Sequence, residues 1–315
     1  MENDDWIRLF KQSFADLNAG AIAAAEKTCK ILLEYTPDDP RVTQLMAAIR
    51  LASGDFADAE RFAQASLVRR PDHAPTIVLA GMAARKAGKL DLAANCFRRA
   101  TALDPARPDA AFQACIVQIE RMGADVVQLF GDLHVRFPGH ASGWVEIGRA
   151  LDGVGQSRLA LSAFDLAFQT APTAYLAYKR GELLYDLREL RQAESALRYS
   201  ATADGNQFST WFKLGLVLQD LRDLAGAVDA YRRALAVRSE SAEAETNLGI
   251  ALQDSGDLRS AKAAYGRAML VAPESFARIA QALAMAPTGE LWLDMGALQS
   301  HLLDEGRRSL VRRSR

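Results

Sequence analysis

Four histidines, at 73, 134, 140 and 301, and three cysteines, at 29, 96 and 115, are the side chains best suited to metal or nucleophilic chemistry. Their spacing does not serve it. There is no C-x-x-C, no H-E-x-x-H and no G-x-S-x-G, so neither a zinc ligand set nor a nucleophile elbow can be written. Gly88-Lys89-Leu90 lacks the glycine frame that a phosphate-binding loop places before its lysine. His134 has no Cys, His, Asp or Glu four residues on, and His73 and His140 are expected in turns. The many carboxylates read as helix-surface partners of arginine, as Asp229 does with Arg232 and Arg233. The expectation is therefore no catalytic residue, no metal and no cofactor. The scattered cysteines are expected to be small core fillers in a reducing compartment, which makes the chain cytoplasmic.

Composition narrows the partners. The net charge is −1, so no overall field draws the chain to nucleic acid or to a membrane surface. No apolar run approaches the length that spans a bilayer, and MENDDWIRLF is acidic without an apolar segment, unlike a secretory signal. Half of the 315 residues are hydrophobic, enough for a stacked helical core.

What positions these residues is a repeat. QFSTWFKLGLVLQDLRDLAGAVDAYRRALAVRS is followed at once by a stronger copy, AEAETNLGIALQDSGDLRSAKAAYGRAMLVAP, with Gly215 and Gly249, Tyr231 and Tyr265, and Ala234 and Ala268 each 34 residues apart. The same frame recurs with Gly148, Ala160, Phe164 and Pro172, with Gly81, Ala93, Phe97 and Pro105, and with Gly181, Ala193 and Leu197. Weaker copies keep Gly20, Gly54 or Phe130 and their prolines. Units start at 6, 40, 74, 107, 141, 174, 208 and 242, always 33 or 34 residues apart. Each reads as two amphipathic helices, and no period-two strand pattern competes.

The residue types have physical reasons. Small residues at the eighth and twentieth places, as in Gly215 with Ala227, suit a close helix approach. Glycine at the fifteenth place in five units (20, 54, 88, 155 and 256) suits a left-handed helix end. Proline at the thirty-second place is expected to start the next helix.

This frame resembles the tetratricopeptide repeat (TPR) family, whose pattern is W-x2-L-G-x2-Y, then A-x3-F, then P. Trp211-Leu214-Gly215-Leu218 and Trp144-Ile147-Gly148-Leu151 match its first half with Leu for Tyr, and the resemblance covers residues 6–275. It implies an all-α, right-handed solenoid of about eight helix-turn-helix units. Residues 276–305 are expected as C-terminal cap helices, and 306–315 as a basic tail.

The resemblance also implies a concave groove lined by places 2, 5, 9, 12 and 13 of each first helix, which share one side of that helix. In the first four units that set includes Phe10, Phe14, Leu17, Val78, Met82, Cys115 and Ile119, with Arg41, Arg85 and Lys86 as its charges. In the last four it includes Arg149, Asp152, Tyr175, Tyr178, Glu182, Tyr185, Asp186, Phe212, Asp220, Glu243 and Asp254. The groove is thus expected to be apolar and mildly basic at first, then aromatic, then acidic. The tyrosines with Phe212 are either packing between neighbouring repeats or a ligand-contacting patch.

The carboxylate clamp of chaperone-binding TPR proteins is absent: Asn247 fills one of its positions, but Phe212 and Leu216 stand where Lys and Asn belong. The expected function is a non-catalytic scaffold or adaptor that holds a peptide or a partner helix. The rival is a substrate-selecting subunit of a separately encoded transferase, since the family's arrays resemble the arms of protein O-glycosyltransferases. The forty residues beyond the repeats are too few for a nucleotide-sugar domain.

At the C-terminus, PESFARIAQALAM reads as a cap helix and Pro287-Thr288-Gly289 as a break. A further helix is expected to start at Asp294, with Trp292 packed on the last unit. Arg307 to Arg315 carries five arginines and is read as a solvated tail. Without interleaved aromatics it is a weak signal for nucleic acid.

Overall fold

A computed structural model describes residues 3–122, 127–285 and 294–313. Among them there is no strand. The chain forms two compact units that meet at the Thr170–Ala171 bond. The first holds α1 (Asn3–Asn18), α2 (Ile22–Tyr35), α3 (Pro40–Ser53), α4 (Phe56–Arg69), α5 (Ala74–Lys86), α6 (Leu90–Leu103), α7 (Pro108–Met122), α8 (Val127–Arg136), α9 (Ala141–Gly153) and α10 (Ser157–Thr170). The second holds α11 (Ala174–Asp186), α12 (Leu190–Ala203), α13 (Phe208–Asp220), α14 (Leu224–Val237), α15 (Ala242–Asp254) and α16 (Leu258–Val271), then a 3-10 turn, α17 (Phe276–Met285) and α18 (Met295–Arg313). Among the described residues α1 to α6 and α9 to α16 form antiparallel pairs, and within each unit successive pairs pack on one another, as an all-α TPR solenoid does, with α9 rather than α8 packed on α7.

The eighth-place glycines are dictated by what faces them. A Cβ on Gly81 would lie 2.7 Å from the Phe97 ring, on Gly148 2.9 Å from Phe164, on Gly181 2.6 Å from Leu197, and on Gly215 2.5 Å from Tyr231. Gly249 meets Tyr265 in the same way. The partner is thus the large side chain at place 24, four residues beyond the alanine expected to fill that role. The twentieth-place alanines are themselves fully buried, at 93, 160, 193, 227 and 261.

All five fifteenth-place glycines have positive φ, from 75° to 91°. The following N–H reaches back five residues, as from Asp55 to the Arg50 carbonyl at 2.9 Å, and Asp55 then caps α4 by accepting from the Asp58 N–H. Asp223 and Asp257 repeat the cap on α14 and α16.

Four of the thirty-second-place prolines do something other than expected. Pro37, Pro71, Pro105 and Pro138 stand in turns, three residues before α3, α5, α7 and α9. Each follows the last residue whose N–H closes a second helix: Thr36 on Leu32 at 2.8 Å, Arg70 on Ser66 at 3.1 Å, Asp104 on Ala100 at 3.0 Å, and Phe137 on Leu133 at 2.8 Å. They stop a helix, because proline has no N–H with which to prolong it. Pro40 and Pro108 open α3 and α7, Pro75 stands in the first turn of α5, and Pro273, at the thirty-second place of the last unit, opens the 3-10 turn as expected.

The basic run also differs from expectation. Asp294 accepts from the N–H groups of Gly296 and Ala297, and from there α18 is helical through Arg313. It crosses α16 where Gly266 and Gly306 meet backbone to backbone, too close for any Cβ on either. The Arg267 guanidinium forks onto the buried Glu245 carboxylate at 2.7 Å for both bonds and donates to Ser309 on α18 at 3.0 Å. That docking gives the helix a partner which a solvated tail would lack. Pro287, Thr288, Gly289, Trp292 and Arg315 lie outside the described residues.

Candidate functional site

In the second unit, α11, α13 and α15 lie side by side as first helices and carry most of the expected aromatic and acidic residues. Tyr175, Tyr178, Glu182 and Tyr185 on α11 are all partly buried. The Tyr178 hydroxyl donates to Glu182 at 3.1 Å, and Lys179 holds the other oxygen of that carboxylate at 2.8 Å. Burial, then the Glu182 charge, pushes the Tyr178 phenol up to about 12. Phe212 on α13 is partly buried, stacked on Phe208 at 5.6 Å and tilted against Tyr231 at 5.9 Å. Tyr185 has the Lys213 ammonium over its ring at 5.2 Å, and burial with the nearby Asp220 carboxylate raises its phenol. The structure therefore brings Tyr185, Phe212 and Asp220 together around the buried Tyr231.

The acids divide into two kinds. Asp220 accepts from Arg188 at 2.6 Å, and Asp254 accepts from Arg222 at 3.4 Å. Both arginines occupy the fifteenth place, where five of the other six units carry glycine, and both have φ 63°. Each left-handed helix end thus reaches the next first helix and neutralises its acid. Glu243 on α15 is exposed, and no ion pair to it exists among the described residues. Beneath this face, Tyr231 donates to Gln219 at 3.0 Å and Tyr265 to Gln253 at 2.8 Å.

In the first unit the expected residues are more scattered. Arg41 is exposed, paired with Asp39 at 2.7 Å, and lies over the Trp6 ring at 4.3 Å, where Trp6 stacks on Phe10. Arg85 binds Glu120 at 3.1 Å. Arg149 is exposed on α9. Val78 is buried and Met82 half-buried, and both line a cavity of about 180 Å³ with α7 and α9. Cys115 and Ile119, assigned to the same face, turn inward and are buried instead. Among the described residues α8 makes little contact with α7, and α9 packs on α7, with Trp144 wedged between Phe112 at 5.1 Å and Phe130 at 4.8 Å. Cys29 and Cys115 are free thiols pushed up to about 12 by burial, as core fillers would be.

Sequence reasoning missed Arg188 and Arg222, although the repeat phase alone places them where glycine recurs. It also missed the residues opposite Val78 and Met82, because Gln113 and Glu146 fall outside the five places expected to line a groove.

A tetratricopeptide repeat model matches residues 74–107 and 208–241. No curated protein matches the chain. Among solved structures, a crystal structure of MamA is 16% identical over 63% of this chain and 96% of that one, with a TM-score of 0.45. YrrB, described as a TPR protein with an unusual peptide-binding site, is 15% identical over 67% of this chain and 93% of that one, at 0.44. A MamA fragment from Desulfovibrio magneticus RS-1 is 17% identical over 54% and 97%, at 0.45. No described helix is long and apolar enough to cross a membrane.

Proposed function

The chain is a tetratricopeptide repeat protein, and on that premise we propose that it is a non-catalytic scaffold that holds a peptide or a partner helix against its first helices. Eight repeats, with starts at 6, 40, 74, 107, 141, 174, 208 and 242, form the array; residues 276–305 cap it, and the basic run to 315 follows. The observation that supports this reading is the aromatic face of α11 and α13. Tyr178, Tyr185 and Phe212 keep part of their surface in water although the large apolar side chains around them are fully buried. Partly exposed aromatics of this kind supply the anchors of binding interfaces, since they offer much contact area for little lost side-chain freedom.

The groove set in this reading is Arg41, Val78, Met82, Arg85, Arg149, Tyr175, Tyr178, Glu182, Tyr185, Phe212, Asp220, Glu243 and Asp254. The partner is a protein or peptide, with neither membrane insertion nor nucleic acid as its main target, and the protein works in the cytoplasm without a cofactor. Selection of substrates for a separately encoded transferase would use the same face and differs only in the partner.

A photo-crosslinking residue placed at Phe212 tests the reading. It should capture a protein partner, whereas the same residue at Tyr199, exposed on the second helix α12, should not. Equal capture at both positions contradicts it.

A further inference from the structure

The cavity between α5, α7 and α9 has a built polar end. Val78 and Met82 from α5 and Phe112 from α7 form its apolar wall. Gln113 on α7 is 6% exposed and donates from Nε2 to the Glu146 carboxylate on α9 at 2.5 Å. Its Oε1 is buried and has no hydrogen-bond partner among the described residues. A buried amide oxygen left without a donor is a net cost to the folded chain. The position is therefore one where a donor arriving from outside is rewarded.

The charges around the opening are unevenly matched. Asp109 has Arg107 at 3.6 Å and the His140 Nε2 at 3.6 Å. Glu146 is exposed at the opening, holds only the Gln113 amide, and has no cation paired with it among the described residues. A ligand group for this cavity must carry a positive charge and several donors at its tip. Behind that tip it needs an apolar stem thin enough for about 180 Å³. The cavity is closed on one side by Gly143, where any Cβ would run into Phe112 and His140.

We infer that this cavity is the anchor site for a lysine side chain of the protein partner. The methylene stem lies along Val78, Met82 and Phe112, and the ammonium donates to Gln113 Oε1 and to Glu146. The inference rests on the proposal that first helices face the partner, and it assigns the first unit a cationic specificity. The sequence frame passes over both polar groups, since Gln113 is at the seventh place of the fourth unit and Glu146 at the sixth place of the fifth.

The test uses the full chain to select from a random dodecapeptide library displayed on phage, followed by titration of synthetic versions of the recovered peptides. Recovered peptides should share a lysine. Its replacement by norleucine, which keeps the stem and removes the charge, should weaken binding at least about tenfold. Glu146 is exposed, so Glu146→Gln leaves the fold intact, and on that variant the norleucine penalty should shrink at least about threefold. An equal penalty on both proteins overturns the lysine site. Peptides that bind Tyr178→Ala more weakly but ignore the norleucine change also overturn it, and leave the groove reading standing. A library from which nothing is recovered overturns both.

Discussion

The Arg188 guanidinium lies 2.6 Å from the Asp220 carboxylate, and Arg188 holds its backbone at φ 63°. One side chain thus closes a helix in the left-handed region and ties α11 to α13. The two roles oppose each other energetically. Left-handed backbone costs a residue with a Cβ roughly 1–2 kcal/mol. An exposed ion pair returns about 0.2–1 kcal/mol. Arg188→Gly and Arg188→Ala both remove the pair, and only glycine removes the strain. The glycine variant should melt at or above the wild-type midpoint and the alanine variant below the glycine one by about 1 kcal/mol. Arg222, 3.4 Å from Asp254, should show the same order. Thermal melts of the four variants decide it, and alanine equal to glycine would remove the argument.

Gly215 tests the helix interface. Its absent Cβ would stand 2.5 Å from the Tyr231 ring, and that ring is fully buried with its hydroxyl on Gln219. Gly215→Leu should cost on the order of 1–3 kcal/mol by overpacking. An unchanged denaturation midpoint would mean that the two helices do not meet there.

The terminal helix is held by a buried pair. Arg267 and Glu245 are 8% and 3% exposed, and Arg267 also reaches Ser309. Removing one member of such a pair leaves an uncompensated buried charge, at about 3–5 kcal/mol. Arg267→Ala should therefore destabilise far more than Arg233→Ala, whose partner Asp229 is exposed. Hydrogen exchange should show α18 losing protection first. Equal effects of the two variants would contradict this placement of α18.

How much of this was legible in sequence follows from what repeats. Gly249 and Gly256 recur in phase, so the close helix contact and the left-handed helix end could both be read without coordinates. Arg188 and Arg222 share the phase of Gly256 but not its residue type, and a reading keyed to glycine passes over them. Pro71 was seen at the right period and given the wrong side of the boundary, because stopping one helix and starting the next look alike in a periodic pattern. Gln113 and Gly306 act through partners on other helices, Glu146 and Gly266, and lie outside the places whose residue types repeat, so the frame passes over them although Gln113 and Glu146 are one repeat apart.

The buried phenols set an alkaline limit. Burial raises the Tyr231 and Tyr265 phenols well above the ordinary value of 10, and it takes Tyr178 up to about 12. A phenol whose folded pKa is raised favours the folded state fully below pH 10. That advantage is lost as pH climbs toward the folded value, because the unfolded chain ionises first. Stability should stay level with respect to these groups up to about pH 10 and fall between about 10 and 12. Denaturant midpoints at pH 8, 10 and 11.5 check this, and a level profile across the whole range would contradict it.

The central claim is that the first-helix face of the second unit binds the partner, and one titration tests it most directly. On that claim Tyr178 acts as an aromatic anchor, whereas Glu243 is an exposed rim acid, unlike Asp220 and Asp254, which are tied to arginine. Losing an aromatic anchor typically costs about 2 kcal/mol or more, roughly thirtyfold in affinity. Reversing a rim charge chiefly slows association and flattens its dependence on salt. The partner captured from Phe212 should be titrated against wild type, Tyr178→Ala and Glu243→Lys at low and high salt. The account predicts a loss of about thirtyfold for Tyr178→Ala at both salts, and a smaller loss for Glu243→Lys that appears mainly at low salt. Wild-type affinity in both variants would contradict it and move the binding site off this face.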